Sequence, residues 1–275
     1  MSVTVPAGFR AAGVAAGLKS SGAPDLAIVV NDGPHFHAAG VFTTNRVQAA
    51  PVTWSRQVLA DGRVDAVLLN SGGANACTGA PGFQDTHRSA EYAAAALGVA
   101  PGDTAICSTG LIGARLPMDL VLAGVEDACG QLSADGGELA ARAIMTTDTV
   151  PKTAAATREG WSVGGMVKGA GMLAPALATM LVVLTTDAVV DPATLDGVLR
   201  SATSRTFDRI DSDGCMSTND TVLLLSSGAS GVQPSIEDLT EAVTEVCATL
   251  ARALIADAEG AHHDISIEVR QASSE

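Results

Sequence analysis

Two groups of residues in this sequence have the types and spacing for chemistry, and a third has the types without the spacing. The first surrounds Lys168, the lone lysine in WSVGGMVKGAGMLAPALATMLVVLTTD, residues 161–187. Glycines at 164, 165, 169 and 171 flank it in what reads as a short strand followed by a glycine-rich turn. Glycines that dense let backbone approach backbone, or reach φ > 0. With almost nothing polar beside it, Lys168 either faces solvent from a loop or is held in a site. The apolar run at 178–184 is too short and too interrupted to span a membrane. On residue type alone, Thr179 is a β-branched residue entering a buried strand. The second group is Thr109-Gly110, after the strand pattern TAICS at 104–108. A strand that breaks into Thr-Gly offers a hydroxyl and a backbone N–H at a fixed point, as an oxyanion hole requires, although many strands end this way. The third group is defined by what it lacks. His35-x-His37 and His262-His263 come without a cysteine or carboxylate at metal-ligand spacing. The Asp211-Ser212-Asp213-Gly214 loop has no spaced final glutamate of an EF-hand. No metal site is expected.

The elements that must position these residues are set by periodicity and breakers. Strand patterns occupy 25–31, 38–42, 64–69, 104–108, 222–225 and 265–269. Helical patterns occupy 84–97, 117–129, 133–145, 191–204 and 235–256. Asp191-Pro192 reads as an N-cap followed by proline at the first helical position, and Ser235-x-x-Asp238 is close to a capping box. The loop NSGGANACTG, 70–79, comes after a buried strand; it is either packed near a site or a plain surface loop.

Composition narrows the classes. A chain of 275 residues buries a sizeable core as one large domain or two smaller ones. Hydrophobic content of 47% with 17% charged residues describes a globular protein. Aromatics at 3% are too few for nucleic-acid stacking platforms, and a net charge of −14 repels phosphate backbones and anionic lipid. Neither nucleic acid nor membrane is expected as a partner. The cysteines (77, 107, 129, 215, 247) are odd in number and contain no C-x-x-C, as for reduced thiols in a cytoplasmic protein. The N-terminus, with Pro6 and Arg10, is a poor secretory signal, so a cytoplasmic location is expected.

KGAGMLAP followed by ATML resembles the self-cleaving signature of the bifunctional ornithine acetyltransferase / glutamate N-acetyltransferase family of arginine biosynthesis (ArgJ type). NSGGANACTG, STGLIG, TTDTVPK, STNDT and DAEGA resemble further segments of that family. Departures are Gly73 where the family usually has Asn, Cys215-Met216 in place of Asp-Thr, and His262-His263 in place of Thr-Lys. The family's DPNWGR segment and C-terminal tail are absent, so the resemblance implies a C-terminally truncated member.

The resemblance implies an α+β fold, a layered α/β/β/α sandwich of the DmpA/ArgJ-like type, acting as a self-processed N-terminal-Thr enzyme. The cut falls between Ala178 and Thr179, making 1–178 the alpha chain and 179–275 the N-terminal part of the beta chain. Thr179 becomes the nucleophile and Thr109 and Gly110 form the oxyanion hole. Thr149, Lys168 and Glu259 bind substrate with Thr179; read alone, Glu259 is a carboxylate in an exposed turn. The chemistry is coherent: an N-terminal threonine carries its own base, because an α-amine titrates near ~7.7–8.0, whereas before the cut that nitrogen is an amide. The implied reaction is ping-pong transfer of acetyl from N2-acetyl-L-ornithine to L-glutamate through acetyl-Thr179, with acetyl-CoA a further donor in some members. It needs no cofactor and no metal. The implied assembly is a heterotetramer of two alpha and two beta chains from one precursor. The alternatives are a related self-processed aminopeptidase or amidohydrolase that releases product to water, and a truncated, catalytically silent subunit.

Overall fold

The computed structural model describes residues 2–174 and 180–272. In chain order the strands are β1 (Phe9–Val14), β2 (Leu26–Asn31), β3 (His37–Phe42), β4 (Ala66–Gly73), β5 (Thr104–Leu111), β6 (Lys152–Arg158), β7 (Trp161–Lys168), β8 (Leu181–Thr186) and β9 (Thr221–Ser226). The helices are α1 (Ala50–Val58), α2 (Gly79–Leu97), α3 (Met118–Gly130), α4 (Gly137–Ala143), α5 (Pro192–Arg205) and α6 (Ile236–Ala256). The strands form two sheets, ordered β1-β2-β4-β5 and β3-β9-β8-β7-β6. Neighbours are antiparallel except β4 with β5 and β8 with β9.

The layers arise from side-chain alternation along strands covered on both faces. On β2, Ala27 and Val29 point between the sheets, where they share a core with Met166, Leu181, Val183 and Leu223. Leu26, Ile28 and Val30 point the other way, into the core formed with α2 and α3. On β8, Val182 and Leu184 turn to α5 and α6, packing in one core with Leu199, Val246 and Leu250. The fold is therefore an α+β sandwich with the layers α/β/β/α, as the resemblance implied. The long α6 sinks Leu239, Val243, Val246, Leu250 and Leu254 at helical spacing, each worth about 1.5–3 kcal/mol of burial. Its N-cap is Ser235, which accepts from the Asp238 N–H, and Asp191 caps α5 in the same way through Thr194 N–H. Among the described residues no helix is long and apolar enough to cross a membrane.

Several elements differ from the sequence expectation. Gly164 and Gly165 lie inside β7 rather than in a turn. A Cβ on Gly164 would sit 2.2 Å from the Ser2 carbonyl oxygen, and one on Gly165 would sit 2.7 Å from Leu184 and 3.1 Å from Leu250. These glycines thin the strand so that the N-terminal segment and α6 can close on it. β4 and β5 run on through Gly73 and Leu111, so Thr109 and Gly110 stand within a strand, not beyond its end. The expected helix 133–145 shortens to α4. The expected strand 265–269 is not formed, and Ile265, Ile267 and Val269 are at least three-quarters exposed. A strand needs a neighbour for its N–H and C=O groups, and this segment pairs with no described strand.

Candidate active site

The site grows from the ends of β5 and β7, one strand from each sheet. Lys168 is the last residue of β7, level with Leu181 of β8 in the ladder, and its side chain is fully buried. Its Nζ lies 3.4 Å from Thr109 Oγ1, so the ammonium bridges the two sheets. Burial pulls the Lys168 pKa down, and Asp148 and Asp220 pull it back up against Lys152 and Lys19.

Thr109 is buried, but Gly110 is exposed at φ 125°. A Cβ on Gly110 would lie 2.7 Å from Gly73 N and 2.8 Å from Gly72 C, at the place where the β4–β5 register shifts. Only glycine fits this close backbone approach. An amide network fixes the same strand ends. Ser108 Oγ donates to Asn70 Oδ1 at 2.6 Å, and Asn70 Nδ2 donates to Gly73 O at 3.0 Å. Asn219, arriving from the other sheet, donates to both Ala74 O (2.7 Å) and Ser108 O (2.8 Å). The loop 70–79 is thus packed against the candidate site, which decides the alternative that its composition left open. At the departure Gly73, a Cβ would meet only the flexible tip of Leu116, at 2.7 Å.

Asp148 is the buried anion of the site. Its Oδ1 accepts from Lys152 Nζ (2.6 Å) and Gly169 N–H (2.7 Å), and its Oδ2 from Thr146 N–H (3.0 Å). Burial pushes its pKa up, but the charge of Lys168, the Lys152 ammonium and the two N–H groups outweigh that and hold it below the usual carboxylate range. Lys152 Nζ also reaches Asp257 Oδ2 at 2.5 Å, at the end of α6. Asp257 in turn accepts from the N–H of Thr149 at 3.0 Å and from its hydroxyl. The chain Lys168–Asp148–Lys152–Asp257–Thr149 thereby ties the end of α6 to the ends of β6 and β7.

Lys168, Thr109 and Gly110 come together directly. Thr149 joins them through Asp257, and Glu259 through the main chain. Glu259 N–H donates to Ala170 O at 2.6 Å, and its exposed carboxylate lies where a Cβ on Gly171 would be 3.1 Å away. Ala178 and Thr179 lie outside the described residues. The next residue is anchored on both sides of its backbone. Met180 N–H donates to Asp220 Oδ1 at 3.0 Å, and Met180 O accepts from Thr221 N–H at 3.1 Å. A cavity of about 380 Å³, lined by Leu18, Lys19, Ser20, Gly72, Gly110 and Thr146, opens beside Gly110. Burial also lowers the pKa of its Lys19, opposed by Asp25 and Asp148. A larger cavity of about 790 Å³ lies apart from Lys168 and Thr109, between α5, α6 and the residues after Glu259, with Arg205, Arg252, His262 and His263 on its walls.

Sequence reasoning missed Lys19, Asp148, Lys152, Asn219, Asp220 and Asp257 as members of this site. All but Lys19 stand in segments already singled out: TTDTVPK, STNDT and DAEGA. The available signal was the pair of charges in each of TTDTVPK and DAEGA; STNDT, with the single charge Asp220, offered none beyond the resemblance.

Known proteins share this arrangement of strands and segments. The arginine biosynthesis bifunctional protein ArgJ of Streptomyces coelicolor is 66% identical over 275 residues, which is all of this chain and 72% of that protein. The ArgJ protein of Thermobifida fusca is 61% identical over 274 residues, again with 72% of its length covered. Among solved structures, ornithine acetyltransferase from Mycobacterium tuberculosis, complexed with ornithine, superposes with a TM-score of 0.63 at 58% identity, covering 66% of this chain and 96% of that one. A β-aminopeptidase from Burkholderia shares the fold alone, with a TM-score of 0.56 at 13% identity over 94% of this chain and 86% of its own. The pattern of the ArgJ family matches residues 10–275, and with that match the chain belongs to the ArgJ family.

Proposed function

We propose that the chain is an acetyltransferase of arginine biosynthesis. It moves acetyl from N2-acetyl-L-ornithine to L-glutamate after cutting itself between Ala178 and Thr179. The two products, 1–178 and 179–275, stay associated, and two of each form the heterotetramer. The observation that carries the reading is the fully buried Lys168 next to Thr109, with Asp148 as counter-charge, beside the segment that leads to Thr179. A buried ammonium is held by anions: Asp148 supplies one, and the carboxylate of an α-amino acid would supply a second. Family membership and the ornithine held by the Mycobacterium tuberculosis relative support the same substrate class.

In the proposed cycle, Thr179 Oγ attacks the acetyl carbonyl while its proton passes to the α-amine of the same residue. The Thr109 hydroxyl and Gly110 N–H carry the negative oxygen. The C–N bond of the donor breaks, and its nitrogen leaves as ornithine with the proton that the α-amine held. Glutamate then enters, its amine attacks the acetyl-threonine ester, and Oγ recovers a proton. Lys168 pairs with the α-carboxylate of either amino acid. Glu259 faces the side-chain ammonium of ornithine, and Thr149 completes the pocket. Acetyl-CoA fits the same first half-reaction as an alternative donor.

Two measurements test this reading. The intact mass of the purified protein should give two fragments, and Thr179→Ala should give one uncut chain; a mutant still cut at that bond refutes the nucleophile. Release of ornithine from acetylornithine should depend on glutamate, whereas equal release without glutamate identifies a hydrolase.

A further inference from the structure

Lys19 stands half-buried in the loop between β1 and β2, and the cycle proposed above gives it no part. A completely buried carboxylate fixes that loop. Asp25, the residue before β2, accepts from Ala16 N–H through Oδ1 at 2.7 Å and from Lys19 N–H through Oδ2 at 2.9 Å. The loop also closes on itself, with Gly22 N–H donating to Lys19 O at 3.2 Å. It lies directly on the end of β4: a Cβ on Gly72 would sit 2.8 Å from Leu18 Cβ and 3.0 Å from Leu18 O. Lys19 is therefore held at a set place, on the wall of the cavity of about 380 Å³ that it shares with Gly72, Gly110 and Thr146.

Its ammonium has capacity to spare. Nζ donates to the Pro24 carbonyl at 2.8 Å, which uses one of the three N–H groups of a lysine. Asp25 and Asp148 raise its pKa through space, against burial, rather than by hydrogen bonds. The charge of Lys19 also acts on Lys168 and disfavours its ammonium. Two ammoniums that feel each other repel, and an anion entering the cavity beside Gly110 relieves that repulsion.

The two amino acids of the proposed reaction set a requirement. Both carry an α-carboxylate and an α-nitrogen, but their side chains end in opposite charges. A site that serves them in turn needs an anion for the ornithine side chain and a cation for the glutamate side chain. Glu259 supplies the first. For the second, Lys168 is taken by the α-carboxylate, and Lys152 is held between Asp148 at 2.6 Å and Asp257 at 2.5 Å. The arginines and histidines of the larger cavity lie apart from Lys168 and Thr109. Lys19 lines the cavity that Gly110 borders and still has donors to give.

We propose that Lys19 is a specificity residue for the acceptor: its ammonium receives the side-chain carboxylate of glutamate. This inference rests on the function proposed above. Lys19 takes no part in breaking or making the acetyl bond; it selects which amine enters for the second half of the cycle. The same charge repels the ornithine ammonium, so the two side chains take different walls of the site.

In ping-pong kinetics kcat/KM for each substrate reports its own half-reaction, which separates this role from a structural one. Lys19→Met should lower kcat/KM for glutamate by about 10–100-fold, the loss of a hydrogen bond to a charged group, and leave kcat/KM for acetylornithine within about three-fold of wild type. Lys19→Arg keeps the charge and should recover most of the loss. Equal falls for both substrates, or a glutamate value within about two-fold of wild type in Lys19→Met, overturn the proposal. A second measurement needs no variant. Wild-type protein should transfer acetyl to glutamate at least about ten-fold better than to glutamine, in which an amide replaces the carboxylate. A wild type that takes both acceptors equally overturns the proposal even if Lys19→Met does not fold. A wild type that releases ornithine equally well without any acceptor refutes the parent reading instead, and the role of Lys19 falls with it.

Discussion

Replacing Asp148 with asparagine tests the electrostatic core of the site. The substitution keeps the shape and one acceptor oxygen, enough for the N–H of either Gly169 or Thr146 but not both, and removes the charge that faces Lys152 and Lys168. Breaking a buried ion pair by removing one partner costs about 3–5 kcal/mol, and the lower end of that range, ~3 kcal/mol, is carried forward for Asp148→Asn. For a chain of this size each kcal/mol moves Tm by about 2–4 °C, so the expected drop is about 6–12 °C at neutral pH. The pH dependence carries the sharper signature. Asp148 has a depressed pKa when folded, so its contribution is present above the unfolded value of about 3.9 and is lost as pH falls through the folded one. Lys168 is also depressed when folded, so between its folded pKa and the ordinary 10.5 the unfolded chain binds more protons and stability rises with pH. Without Asp148 that window opens at lower pH. The gap between variant and wild type should therefore be largest near neutrality, narrow toward pH 10, and close again in acid. Differential scanning calorimetry across this range measures it. A Tm change below about 2 °C at pH 7, or a gap that stays constant up to pH 10, refutes the coupling of Asp148 to Lys168.

Other substitutions separate chemistry from scaffold. Thr109→Ala should slow acetyl transfer by about 10²–10³-fold with little change in substrate affinity, as measured by steady-state kinetics. Gly164→Ala drives a Cβ to 2.2 Å from a backbone oxygen of Ser2 and should cost at least about 1–3 kcal/mol in thermal unfolding. Gly102→Ala, which meets nothing within 4 Å, should stay within about 0.5 kcal/mol of wild type.

The sequence announced the parts of this protein unevenly, and the reasons are physical. Apolar runs such as LAIVVN and the long α6 pattern were plain because β-branched residues and helical spacing are strong local signals. β1 (FRAAGV) and β6 (KTAAATR) were not anticipated. Both are built on alanine, with one glycine in β1, and these residues carry little strand preference of their own. α1 was missed because Ala49 at its N-cap offers no capping side chain to mark its start. In the site, Lys168 stood out as a lone charge among glycines, whereas Thr109-Gly110, a common strand ending, stood out through the resemblance of STGLIG to the family segment. The partners of Lys168 did not, since a carboxylate gives no local sign of which lysine it will meet; Lys152 and Asp257 are 105 positions apart in the chain. Asp220 lay in full view within STNDT, but only burial makes it different from any other aspartate.

The order of the second sheet bears on the lifetime of the protein. β8 and β9 come from the segment after residue 179, yet they are flanked by β7 on one side and β3 on the other, both from the segment before it. A cut between 178 and 179 leaves the later piece clasped in the middle of a sheet whose two rims belong to the earlier piece. Neither piece could then leave without breaking two complete ladders, so a protein opened there would hold together without a covalent bond. Once those ladders are lost, however, the pieces must find each other again in solution. Renewal of the fold becomes a second-order event that dilution slows, and the unrejoined pieces expose bare strand rims to one another. Each molecule that cuts itself would thus trade the capacity to refold alone for a finished site, and its supply would be maintained by synthesis rather than by repair.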